Sequence, residues 1–225
     1  MSLLPPAVLA GLVGWGTVAG VDLVSFPQAL LSRPLVTGAG AGLLLGEPAA
    51  GLQVGLLLEL FALDVLPVGA ARYPDYGPGV VGGVVIASGA ALHLALGVAC
   101  GYALLVAVLG GWSLQVLRRV NGRVLQRYAA GLAAGDAATI RAVQYRGLAA
   151  DIARSLLLSA VAIGGALWLR DRLPATDRMA LVTAVAVGTG LAAAAGGAIR
   201  SAGRDARLRW LAAGAGLGLL MAALR

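Results

Sequence analysis

The stretch Arg33-Pro-Leu-Val-Thr-Gly38-Ala-Gly-Ala-Gly42-Leu-Leu-Leu-Gly46-Glu47-Pro-Ala-Ala-Gly51-Leu-Gln-Val-Gly55-Leu-Leu-Leu-Glu59-Leu-Phe-Ala-Leu-Asp64 decides the fold. It is too apolar for a soluble loop and too often interrupted for a straight membrane span. Across residues 22–75 the charge-free runs are 10, 13, 11, 4 and 7 residues long, cut by Asp22, Arg33, Glu47, Glu59, Asp64, Arg72 and Asp75. A straight span takes about 20 apolar residues. Short hydrophobic segments broken by Gly and Pro mark the discontinuous helices that build sites near the bilayer midplane. Irregular backbone at that depth is tolerated only inside protein or along a water-filled cavity. Gly38, Gly42 and Gly46 are spaced by four, as are Gly51 and Gly55, and small residues at that spacing let helix backbones approach closely. The alternating Gly-Ala of residues 38–42 has neither the spacing nor the βαβ setting of a nucleotide-binding loop.

Outward from this stretch the chain remains apolar. Of 225 residues, 60% are hydrophobic, 12% are charged and 34 are glycine, against roughly 25% charged and 7% glycine in soluble proteins. That excludes a water-soluble enzyme, a disordered tail and a disulfide-stapled secreted scaffold. The single cysteine, Cys100, allows no internal disulfide and no cysteine-based metal site. Charge-free runs at 1–21, 76–117, 155–169, 179–199 and 210–224 map the other spans; the run of 42 residues at 76–117 is long enough for two crossings joined tightly. Trp112, Trp168 and Trp210 stand at run ends, where indole rings favour the membrane interface. The start, without a basic region, predicts no signal peptide.

The net charge of +7 carries orientation rather than nucleic-acid binding, since no basic soluble domain is present to hold a nucleic acid. Residues 1–112 hold two arginines and five acids, residues 113–225 fifteen arginines and five acids. The segment 113–154, with Arg118, Arg119, Arg123, Arg127, Arg141, Arg146 and Arg154 against Asp136 and Asp151, is read as cytoplasmic. Leu117, Val120, Val124, Tyr128 and Leu132 keep helical spacing beside a separate row of Arg119, Arg123 and Arg127. This predicts an amphipathic helix on the inner surface, a turn at Gly135-Asp136 and a second helix leading into the membrane. Residues 170–178 then fall outside and 200–209 inside. The expected fold is an all-α polytopic membrane protein, with broken or re-entrant helices in the N-terminal half and an amphipathic cytoplasmic helical pair. It forms one membrane domain over 1–225, divided into a motif-bearing part (1–112), the amphipathic segment (113–154) and C-terminal spans (155–225).

An acid inside such a segment costs about 2.5–3.5 kcal/mol at a helix centre and is functional by default. Glu59 is the foremost candidate, with apolar neighbours on both sides. Asp75 follows Val68-Gly69-Ala70-Ala71-Arg72-Tyr73-Pro74, where Gly-Ala and Pro-Asp imply a turn that exposes backbone groups. Carboxylates accept paired sugar hydroxyls, and Phe61, Tyr73 and Tyr76 offer faces for stacking on a sugar ring. Other readings stand beside these. Glu59 pairs with Arg33 or Arg72 as a structural bridge, and Asp75 caps a helix N-terminus. Asp64 and Glu47 read as interfacial or capping groups; Asp22 stays ambiguous. His93 reads as a packed helix residue, since nothing nearby completes a site. No metal or nucleophile constellation is present, so neither a cofactor, nor a metal, nor autonomous chemistry is expected.

The strings Ser32-Arg33-Pro34-Leu35-Val36 and Ala41-Gly42-Leu-Leu-Leu-Gly46-Glu47, with Gly51, Gly55, Glu59-Leu60, Gly69-Ala70 and Pro74-Asp75, resemble the membrane subunit IIC of the mannose/fructose/sorbose family of the sugar phosphotransferase system. The segment Asn121 to Arg146, with Ala129-Ala130-Gly131-Leu132-Ala133-Ala134-Gly135-Asp136, is similar to that family's helical pair. The resemblance spans about residues 15–165, with Gly46-Glu47 in place of the usual Gly-Asp. It implies a sugar-translocating subunit of the bacterial inner membrane. Its implied partners are a IID membrane subunit and cytosolic IIA and IIB proteins, IIB being the one that phosphorylates the sugar; no phosphohistidine is implied in this chain. It also implies Glu59 and Asp75 as the acids of the sugar site, with Gly69 and Ala70 as exposed backbone and a mobile unit over residues 34–78. A homo-oligomer is compatible with this expectation. Two other classes remain open from the residues alone: an ion-coupled transporter in which Glu59 and Asp75 carry ions, and a membrane docking or scaffold protein in which neither acid matters.

Overall fold

A computed structural model describes residues 4–63, 73–88, 92–173, 177–200 and Arg209. The described residues form eight α-helices: α1 (Pro6–Asp22), α2 (Pro34–Leu45), α3 (Pro48–Ala62), α4 (Tyr76–Ala87), α5 (Leu92–Arg127), α6 (Ala129–Ala133), α7 (Ala137–Arg170) and α8 (Asp177–Arg200). Proline opens α1, α2 and α3, a position where its missing N–H costs nothing and its fixed φ suits the helix.

The interrupted stretch folds as a helical hairpin, α2 against α3. Gly46, at φ +73°, ends α2 in the left-handed conformation, the ordinary use of glycine at a helix end. Glu47 N–H then donates to the Gly42 carbonyl at 2.8 Å, and Pro48 starts α3. Gly38, Gly42, Gly51 and Gly55 line the crossing: a Cβ on Gly38 would sit 2.5 Å from the Gly51 carbonyl oxygen, and one on Gly55 2.8 Å from the Pro34 carbonyl oxygen. The four-residue glycine spacing therefore marks a backbone-to-backbone interface, with Gly46 excepted because it is the cap. Glu47 occupies the cap position of α3 without making a side-chain capping bond.

At 1.5 Å per residue, α2 and α4 are about 18 Å long and α3 about 22 Å, short of the roughly 30 Å hydrocarbon core. The helix α4 sits at the centre, all twelve of its residues buried, with α1, α2, α3, α5 and α7 packed around it. A helix apolar on every face has to be enclosed, and Gly77, Gly79, Gly82 and Gly83 let its neighbours close in. Among the described residues three helices are long and apolar enough to cross a membrane: Ala95–Arg127, Ala137–Arg170 and Met179–Gly196. Their outward faces expose Leu105, Leu109, Leu157, Val161 and Leu181, as lipid contact requires. Trp112 and Trp168 are exposed as well.

The structure differs from the sequence reading at 113–154. Helix α5 continues without a break to Arg127, so the predicted amphipathic helix is the outer part of a helix about 54 Å long rather than a separate element. The arginine row lies exposed in either arrangement, which is why periodicity does not tell them apart. Helix α7 starts at Ala137 behind the turn at Gly135, φ +69°, and runs about 51 Å, taking in the predicted span 155–169. Asp136 caps it, accepting from the Ala138 and Thr139 N–H groups at 3.2 and 2.9 Å. Asp151 and Arg154, which the sequence reading placed in the cytoplasmic segment, pack into the helical bundle, Asp151 buried and the Arg154 side chain 9% exposed. Arg154 pairs there with Asp151 and with Asp75, a second carboxylate that lies far away in sequence. The predicted span 210–224, Asp64, Gly69, Ala70, Arg72 and the His93 side chain lie outside the described residues.

Candidate functional site

Between the end of α1 and the start of α2, residues 23–33 form a loop that the carboxylate of Asp22 organises. Asp22 is buried and accepts from the backbone N–H of Ala29 at 2.6 Å and of Ser32 at 2.9 Å. The Thr37 hydroxyl donates to the Leu31 carbonyl at 2.7 Å and ties the loop to α2. Gln28 and Leu30 have φ of +58° and +65°, a region that non-glycine residues occupy only when their surroundings hold them there.

Two cavities flank this loop. One, of about 410 Å³, is lined by Asp22, Gln28, Ser32, Arg33, Tyr73 and Tyr76 among others. The other, of about 700 Å³, includes Ser25, Gln28, Arg118, Asn121, Gln144 and Asp151. Leu23, Gln28 and Tyr73 line both, so the cavities adjoin at Gln28 and Tyr73. Both volumes fall in the range of about 300–1,000 Å³ common for small-molecule sites. Tyr73 is itself placed by Arg118, whose Nη2 donates to its hydroxyl at 2.7 Å and whose guanidinium carbon lies 5.3 Å from the ring centroid.

Glu59 projects from α3 onto the start of α2. It forms an ion pair with Arg33 and accepts from the Leu35 N–H at 3.1 Å. The carboxylate thus neutralises the arginine and serves the positive end of α2. The structural-bridge reading of Glu59 and its membership of the site are compatible, because Arg33 lines the smaller cavity. Phe61 packs toward α8, with its ring 3.2 Å from where a Cβ on Gly190 would stand.

Asp75 stands at the cap position of α4 without a side-chain capping bond, and its carboxylate is fully enclosed. Arg154 of α7 donates to it from Nη1 at 2.9 Å and to Asp151 from Nε at 2.9 Å. The same Nη1 reaches Ser113 Oγ at 3.1 Å. Asp151 also accepts from Ser25 Oγ at 2.5 Å. Of the residues singled out from the sequence, Tyr73 and Tyr76 line a cavity, Glu59 acts beside one through Arg33, and Asp75 lies behind the cavities in an ionic cluster.

Sequence reasoning left Asp22 ambiguous and missed Ser25, Gln28, Asp151 and Arg154. Two signals were present. Asp22 ends a charge-free run just before a segment with Pro27, and Asp151 and Arg154 are three residues apart, on one face of a helix flanked by apolar sequence.

The family model described as the PTS system sorbose-specific IIC component matches residues 6–202. The chain belongs to that family. It is accordingly a multi-pass protein of the bacterial cytoplasmic membrane. The sorbose-specific EIIC component of the PTS system of Lacticaseibacillus casei is 39% identical over 61 residues, which make up 27% of this chain and 22% of that protein. The matched stretch therefore spans about a fifth of the relative's length. A solved structure titled as that of a membrane protein has the same fold, with a TM-score of 0.71 over 99% of this chain and 96% of that one at 19% identity.

Proposed function

We propose that this IIC-family chain is the sugar-translocating subunit of a mannose-type, phosphoenolpyruvate-dependent phosphotransferase system, providing the pathway and part of the sugar site. The observation that carries the reading is the pair of adjoining cavities at Gln28 and Tyr73. The smaller offers what a sugar requires: the Gln28 amide, the Ser32 hydroxyl, the Arg33 guanidinium and the faces of Tyr73 and Tyr76. Glu59 holds Arg33 at the cavity, and Asp75 fixes the start of α4 beside it. Gly69 and Ala70 belong to the proposed site.

The chain performs no chemistry of its own in this account. A IID subunit completes the membrane unit, and IIA and IIB proteins relay phosphate, IIB phosphorylating the sugar. The basic outer ends of α5 and α7 face the cytoplasm. Translocation proceeds by alternating access, with a mobile unit over 34–78 that includes the α2–α3 hairpin and its glycine crossing, and that enters the membrane without spanning it. Exchanging Glu59→Gln abolishes sugar uptake and leaves membrane insertion intact; normal uptake by a well-expressed variant refutes the site. Uptake that persists without phosphoenolpyruvate and collapses with an uncoupler refutes the coupling.

A further inference from the structure

We propose that Arg154 is a positioning residue for translocation: through Asp151 it fastens the 23–33 loop, by way of Ser25, in the place where the two cavities meet. The proposal rests on the transport reading of the site. Asp22, the last residue of α1, makes the loop a unit by binding its backbone at Ala29 and Ser32; those bonds tie it to α1 but not to α7. Apolar burial does little of that work either, since Phe26 and Leu30 are 69% and 68% exposed. Thr37 holds the Leu31 end against α2. The other end is held to α1 by the Ser25 and Phe26 N–H groups on the Val21 carbonyl at 2.9 and 3.3 Å, and to the neighbouring α7 by the Ser25 hydroxyl on the Asp151 carboxylate.

The chemistry suits a bond that opens and closes. Arg154 neutralises one of the two carboxylates it bridges, and the remaining negative charge needs a donor, which Ser25 supplies. Asp151 and Ser25 both line the larger cavity. Water entering there replaces the serine hydroxyl at little cost when the loop swings away. Arg154 keeps the Asp151 carboxylate aimed at the loop because Asp75 at the head of α4 and Ser113 of α5 hold its guanidinium in turn. The latch thus reports the relative placement of α4, α5 and α7 to the loop carrying Gln28.

The test is hydrogen exchange of the full chain in lipid nanodiscs, without sugar, alongside uptake by the assembled system. In Ser25→Ala, amides of residues 23–31 exchange about tenfold faster, the loss of one hydrogen bond to a charged group, while α2, α3 and α8 keep their protection. Arg154→Lys, which retains the charge but not the planar fork, loosens the same segment, and the double variant loosens it no further than Ser25→Ala alone. Ser25→Ala lowers maximal uptake with half-saturation unchanged, and Ser25→Thr restores wild-type exchange and uptake. Unchanged exchange at 23–31 in Ser25→Ala, or uptake indifferent to it, overturns the latch. If Arg154→Lys loses protection throughout α7, Ser25→Ala decides the latch alone. A wild-type chain that takes up no sugar sinks the transport reading and leaves the exchange result to be judged separately.

Discussion

Removing the guanidinium from the cluster leaves two buried carboxylates without their cation. In Arg154→Met, the enclosed Asp75 and the nearly enclosed Asp151 lose the cation that hydrogen-bonds each at 2.9 Å. Breaking a buried ion pair by deleting one partner costs about 3–5 kcal/mol, because a charge is left without compensation. Asp75→Asn costs less: Arg154 still pairs with Asp151, and the cluster becomes neutral. In the double variant Asp75→Asn/Arg154→Met, the remaining carboxylate is Asp151, which has Ser25 and the water of the larger cavity. The double variant is therefore more stable than Arg154→Met alone, and the two changes are non-additive by about 1–3 kcal/mol. The assay is denaturant unfolding of the four proteins in mixed micelles, followed by tryptophan fluorescence. A loss under about 1 kcal/mol in Arg154→Met, or strict additivity, refutes the cluster as described.

Gly51→Ala puts a Cβ 2.7 Å from Gly42 Cα; it drives α2 and α3 apart and costs about 1–3 kcal/mol, measured by the same unfolding assay. Tyr102→Phe deletes the bond its hydroxyl donates to the Ala162 carbonyl at 2.7 Å, which costs about 0.5–1.5 kcal/mol and shows in unfolding as well. Hydrogen bonds from the Thr139 side chain and from the Thr139 and Ala138 N–H groups hold the Asp136 carboxyl below its ordinary value of 3.8. That support is present above 3.8 and is lost as pH falls through the lowered value, so exchange in the first turn of α7 accelerates only under strongly acidic conditions. In Asp136→Ala the turn frays at neutral pH and the acid dependence disappears.

Sequence alone carried short interrupted helices and a close approach of helix backbones at the glycines, because Gly38, Gly42, Gly51 and Gly55 encode such a contact by spacing; that the two helices pair with each other as a hairpin came from the structure. It carried the turn before α7, because Gly135-Asp136 is a left-handed residue followed by a cap. The Glu59–Arg33 pair was legible as an alternative, since apolar sequence around an acid demands a partner. What sequence did not carry was pairing at long range. Asp75 meets Arg154 across 79 positions, and Ser25 meets Asp151 across 126; no local pattern records either. Asp151 and Arg154 were therefore counted with the other charged residues of the segment 113–154, although they pair inside the helical bundle. The loop at 23–33 was illegible for a related reason: its shape is set by the carboxylate of Asp22 binding backbone groups seven and ten residues ahead, and not by the propensities of the loop residues.

The most direct measurement is a structure of the assembled membrane complex at saturating hexose. The account predicts sugar density in the cavity beside the 23–33 loop, within hydrogen-bond distance of Gln28 or Arg33 and against the ring of Tyr73. Sugar bound away from both cavities, with that loop and Tyr73 in contact only with solvent, contradicts it.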